Sequence, residues 1–198
     1  TLVLTASLIP EGAYAETAEI ETVFPSQKEI VEFAQEHPTG ETYFDRNGKM
    51  LKEYSIGYEE EPVLKKPYRA LNTIRLIRYT AGLSADVYLF DPYSNMAQPA
   101  ALVNYVNGKA SHSPKKPAGM DSTLAALGIQ GSQDSNIDRT SWQNNSLKSS
   151  ILYAWMYDSD SANIKTLGHR RWVLNPSLVM TGFGSVTGSK GTCNPLYI

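Results

Sequence analysis

GHRRWVLNPSLVMTGFGSV, residues 168–186, sets a histidine and two arginines ahead of a strand-like run. Val173-Leu174 and Leu178 to Val186 alternate or cluster as strands, with Gly182 and Gly184 permitting close backbone approach. Arg170-Arg171 reads as a pair on a connecting segment, one side solvated and the other packing with Trp172. Downstream, Pro195-Leu196-Tyr197-Ile198 reads as a loop entering a strand that is then cut off, so the last strand is expected to be missing.

Upstream of this stretch the patterns are helical. Pro67 suits a helix start, where its missing N–H costs nothing. Ala70, Leu71, Ile74, Ile77 and Ala81 then recur at helical spacing, with Arg69, Arg75 and Arg78 largely off the apolar stripe and Gly82 at the C′ position. A second helix is expected over Ser94 to Asn107, with Pro99 near its first turns and Gly108 after it. Asp121 to Leu127 forms a short third, closed by Gly128. Ser146 caps a fourth, whose buried face is Leu147, Ile151, Ala154 and Trp155. Helices first and strands late favour α+β layering over alternating βαβ units.

The first third is different. Thr1 to Ile9, followed by Ala13-Tyr14-Ala15, looks like the end of a signal peptide with its basic region missing. A buried N-terminal strand is the other reading. Residues 16–66 read as a linker, with one helix near Gln27 to Glu36 and a hairpin in Thr42 to Ile56 turning at Asn47-Gly48. The main domain is expected over residues 67–198.

Composition narrows the class of partner. A net charge of −2 supplies no long-range field for nucleic acid or an anionic bilayer. No apolar run approaches the roughly 18 residues of a transmembrane helix. With a single cysteine, Cys193, no intramolecular disulfide framework exists, so the core must hold the domain.

Two of the three histidines sit in specific surroundings, Ser111-His112-Ser113-Pro114 and Gly168-His169-Arg170. Ala70-Leu71-Asn72-Thr73-Ile74-Arg75, Ser111-His112-Ser113-Pro114, Asp134-Ser135-Asn136-Ile137, Trp155-Met156 and Gly168-His169-Arg170 occur in that order. From Tyr68 to Gly184 this series resembles the CAP superfamily (the SCP or PR-1-like domain), especially its bacterial extracellular branch. The resemblance implies a three-layer α-β-α sandwich with a small, mainly antiparallel sheet. It also implies a cleft gathering two histidines and two acidic residues. His112 and His169 match the histidines, and Asp158 matches the acid on the helix. Ser135, beside Asn136, stands where the family often has Glu, so the second acid is missing unless Asp134 or Gln133 substitutes through a shifted loop.

The expected cleft residues are therefore His112, His169, Asp158, Ser135 and Asn136. Neutral imidazoles are good zinc ligands, and His112 with His169 and solvent would make a weak, open divalent-metal site. An ordinary hydrogen-bonded polar pocket is the equal alternative. A hydrolase needs Ser135 bonded to a histidine that Asp158 orients, and no Gly-x-Ser-x-Gly elbow is present. Asp158 to Asn163 superficially matches a calcium loop but lacks its Gly and closing Glu, so termination by Asp158 and capping by Ser161 explain it better. The expected function is a secreted or cell-surface module whose cleft binds a peptide, glycan or lipid from an extracellular or cell-surface partner. The alternative is a metal-assisted extracellular hydrolase or protease.

Overall fold

Local signals in the chain become helices where the sequence places them. The computed structural model describes residues 24–39, 68–143 and 145–198. The signal-peptide remnant, the Asn47-Gly48 hairpin and most of the 16–66 linker lie outside the described residues. The linker helix is α1 (Gln27–Glu36), started by a Ser26/Glu29 capping box. It is docked: the Phe33 ring stacks on Tyr79 at 4.3 Å, and Asn72 donates to the Pro38 carbonyl.

Helix α2 (Tyr68–Thr80) buries Ala70, Leu71 and Ile74, and Gly82 follows at φ 69°. The short strand β1 (Tyr88–Leu89) leads into α3 (Asp91–Asn107), which ends on left-handed Gly108. Ala97, Ala100, Ala101, Val103, Asn104 and Tyr105 are all buried, so α3 is packed around most of its girth.

Arg78 departs from its expected place off the apolar stripe. Its side chain is fully buried, with Nε donating to the Ser84 carbonyl and Nη1 to those of Val173 and Asn175. The long apolar stem crosses the core while the guanidinium satisfies carbonyls of two loops.

Helix α4 (Ser122–Gln133) starts at Asp121 as expected but runs through Gly128 instead of stopping there. Its glycines meet α3. A Cβ at Gly131 would stand 2.2 Å from the Met96 carbonyl oxygen, and one at Gly128 would stand 2.6 Å from that of Pro99. Here glycine serves close backbone approach, not termination. Gly131→Ala is accordingly expected to lower the urea midpoint. The helix-propensity gain of about 1 kcal/mol is outweighed by overpacking against a backbone carbonyl.

Helices with a small mixed sheet make this an α+β protein. Strands β2 (Ser135–Thr140), β3 (Met180–Phe183), β4 (Val186–Gly188) and β5 (Gly191–Tyr197) join β1 in the order β1-β3-β5-β2, with β4 also on β5. The β1–β3 pairing is parallel and the others are antiparallel.

Pro195 to Tyr197, read as part of a loop entering a strand, thus belong to the strand with the most partners. Pro195 is tolerated there because its carbonyl accepts from Gly184 N, in the gap between β3 and β4. Its missing N–H faces the same gap and breaks no ladder. Val173-Leu174 is not a strand: Val173 ends α6 (Gly168–Val173), and Leu174 is its C-cap.

Among the described residues the core has two clusters. Leu71, Ile74, Ile151, Trp155, Phe183 and Leu196 belong to one, and Val103, Tyr105, Ile137, Val186 and Cys193 to the other. Cys193 is a buried free thiol whose pKa burial pushes well up, so it behaves as a small apolar side chain. No described helix is long and apolar enough to cross a membrane.

Candidate functional site

Ser146 caps α5 (Leu147–Ser149), as its sequence signature predicts, but the helix then widens into a π-helix over Ser150–Met156. The wider turn buries Ile151 and Trp155 and leaves Ala154 only half-buried. The chain stops turning at Asp158, whose φ of 50° is left-handed, a conformation that Asp tolerates better than most residues.

This turn aims the Asp158 carboxylate at the start of α6. Oδ2 accepts from the backbone N–H groups of His169 (3.0 Å) and Arg170 (3.2 Å), and Oδ1 from His169 Nδ1 at 2.8 Å. Two orphan donors of the first helical turn are satisfied by one anion. Arg170 returns the contact, its guanidinium donating to the carbonyls of Met156 and Tyr157 at the end of the π-helix. The two helices clasp each other, a role for Arg170 beyond the connecting pair expected. Asn136 in β2 completes the frame by donating to the His169 carbonyl.

His112 is held from the other side. Asn104, fully buried in α3, accepts from Ser111 N and donates to Ser132 Oγ, bringing the Ser111-His112 segment onto the last turn of α4. His112 Nδ1 then donates to the Ser132 carbonyl at 2.9 Å. Asn104 and Ser132 carry no sequence motif. They are legible only once α3 and α4 are seen side by side.

Both rings line one cleft of about 210 Å³. The end of α4 and the start of β2 contribute Gln133, Asp134, Ser135 and Asn136, and the loop before α6 contributes Asn163. Trp172 and Ile198 are its large apolar members. Four of the five expected residues therefore meet there. Asp158 does not line the cleft: it is 0 % exposed and sits behind His169 as the orienting acceptor. Asp134 does line the cleft, so it has a carboxylate beside Ser135, with the Tyr197 hydroxyl donating to it at 3.3 Å. Burial, followed by the nearby Asp134 charge, raises the Tyr197 pKa and keeps that phenol a donor.

Hydrogen bonding fixes the proton on each imidazole. A carboxylate and a carbonyl can only accept, so each Nδ1 carries a proton, and in the neutral form of either ring Nε2 holds the lone pair. Ser135 is not a nucleophile poised on histidine, since its Oγ donates to the Gly131 carbonyl at 2.6 Å. Asp160, not Ser161, caps the following loop, accepting from the N–H groups of Ala162 and Asn163. The Asn163 side-chain bond is the largest cause of its lowered pKa. Asp158, Asp160 and His169 bring ligand atoms within 4.8 Å of one another, a group that could hold a metal ion. It differs from the expected His112 and His169 pair.

Below the site, Asp138 in β2 accepts from Ser150 Oγ and Asn145 Nδ2. Burial, the largest influence, raises its pKa, while those two bonds and the His169 charge oppose the rise. A carboxyl with a raised folded-state pKa contributes nothing below its unfolded value and costs stability as pH climbs through the folded one. Asp138→Asn is expected to raise the melting temperature at about pH 7, with the gain fading below the ordinary Asp value of about 3.9. An equal gain at both ends of the pH range would contradict this origin.

Comparison with known proteins returns no matching family model, no matching curated protein and no matching solved structure.

Proposed function

We propose that this chain is a secreted or cell-surface CAP/SCP-like domain whose histidine cleft binds an extracellular ligand and, weakly, a divalent metal such as zinc. The observation that carries the reading is the shared cleft of His112 and His169, each with Nδ1 committed to an oxygen and Nε2 left free. That commitment is how proteins orient metal-binding imidazoles. A metal at the two Nε2 atoms preserves the Asp158 hydrogen bond, whereas one held by Asp158, Asp160 and His169 through Nδ1 displaces the proton of that bond. Two protein ligands completed by water make an open site, short of the four of a structural one.

The three-layer α-β-α arrangement belongs to the same proposal. It is supported by β5, where Cys193 and Leu196, an odd number of residues apart, join different core clusters. The ligand is a peptide, glycan or lipid of the extracellular space, and nucleic acid is disfavoured by the net charge of −2.

Calorimetric titration of zinc tests the metal reading. Weak saturable binding is expected for wild type and none for the His112→Ala, His169→Ala double variant, provided both show the same folded spectrum. Indistinguishable heats remove it. One observation favours a second reading, a metal-assisted hydrolase: the Asp158–His169 pair has the form of an oriented general base.

A further inference from the structure

Resting on the ligand-binding reading above, we infer that the cleft takes one ring of a neutral saccharide, stacked on Trp172 and held by the surrounding amide and imidazole groups. Trp172 lines the cleft yet remains 53 % exposed, a large flat apolar face offered to solvent at the edge of a polar site. Asp158, Arg170 and Asn136 pin α6, so its indole is presented from a fixed backbone and little freedom is lost on binding. Among the described residues the Gln133 carboxamide and the Trp172 indole N–H make no hydrogen bond, and each lining imidazole is engaged only through Nδ1, which leaves Nε2 to a ligand. A sugar ring matches this set, because its C–H face is apolar and its rim is hydroxyl.

The rival chemistries fit less well. A lipid chain needs an apolar lining, and only Trp172 and Ile198 supply large apolar surface. An acidic ligand needs a cation, and no Lys or Arg lines the cleft. A peptide needs backbone partners along the cleft, yet two of the lining carbonyls, those of Asp134 and His169, already accept from Ile198 N and Asn136 Nδ2. At about 210 Å³ the cleft is smaller than the roughly 300–1,000 Å³ of pockets that engulf a whole small molecule. It suits a single unit of a longer chain.

The test is ligand-observed NMR and calorimetry on the full chain with cellotetraose, the tetramer of N-acetylglucosamine, and an uncharged tetrapeptide. At least one saccharide is expected to bind saturably. Trp172→Ala should weaken it by about tenfold or more, equivalent to about 1.4 kcal/mol, while Trp172→Phe largely restores it. Trp142→Ala, which removes an indole 75 % exposed and away from the cleft, should change nothing. Zinc titration of each variant reports separately on the cleft. Zinc binding with no saccharide binding, or with the tetrapeptide binding instead, overturns the sugar assignment alone. Loss of both in well-folded wild type overturns the cleft reading too. Saccharide binding that survives Trp172→Ala but fails in Trp142→Ala places the contact elsewhere and also overturns it.

Discussion

Asp158→Ala is expected to cost about 3 kcal/mol or more of stability and to remove zinc binding from whatever protein folds. The variant leaves three donors without their acceptor, the N–H groups of His169 and Arg170 and the imidazole Nδ1. These bonds are part-buried, and each donor stranded out of reach of water costs about 1–3 kcal/mol. Urea unfolding at neutral pH reads the loss, and a change within experimental error would show that the carboxylate is not the clasp between the π-helix and α6.

Asp158→Asn separates the electrostatic role from the packing. An amide keeps one acceptor oxygen but turns a donor toward either the helix N–H groups or the imidazole. With the NH₂ facing Nδ1, the ring proton moves to Nε2, the nitrogen needed by a metal. Zinc affinity is therefore expected to fall about 10–100-fold with the fold retained, and ¹⁵N shifts of His169 should report the exchanged tautomer. The hydrolase reading meets its test in the same variant: turnover of a peptide library by wild type must disappear in Asp158→Asn.

Arg78→Met is the second large effect, with an expected loss of about 3 kcal/mol or more. Methionine keeps the apolar stem but takes the donor from the buried carbonyl of Val173 and from the part-buried carbonyls of Ser84 and Asn175. Burial lowers the Arg78 pKa, and no carboxylate among the described residues offsets that cost. The desolvation relieved on removing the charge offsets part of the loss, but the unpaired carbonyls dominate. Because Val173 and Asn175 lie at the end of α6, the variant should also loosen the helix that carries His169 and Trp172. Arg78→Lys should rescue little, as an ammonium cannot reproduce the guanidinium fork. Wild-type stability in both variants would show that the three bonds contribute nothing net.

Much of the helical half was legible because its signals are local. The capping pattern of Ser26 and Glu29, the 3.6-residue recurrence from Ala70 to Ala81, and Gly82 and Gly108 as left-handed stops each act within a few residues. The same holds for the two histidine segments, where residue type and neighbours suffice to propose a site. Where a residue's role depends on a distant partner, local rules misread it. Gly128 has the form of a stop until α3 lies against it. Pro195 argues for a loop until its carbonyl is seen between β3 and β4. Val173-Leu174 has strand composition, yet Val173 is buried as the end of a helix.

The sequence by itself therefore determined the presence of α1 to α5, the α+β class and the identity of the two imidazoles, since hydrophobic period and end-capping are written in adjacent residues. Tertiary structure alone decided that Asp158 stands behind His169, that Asp134 joins the cleft, and that Arg78 is buried. Two of the three Arg78 partners are 95 and 97 residues away in the chain. Desolvation and hydrogen-bond satisfaction arise only when such separated groups are packed together, and no periodicity encodes them.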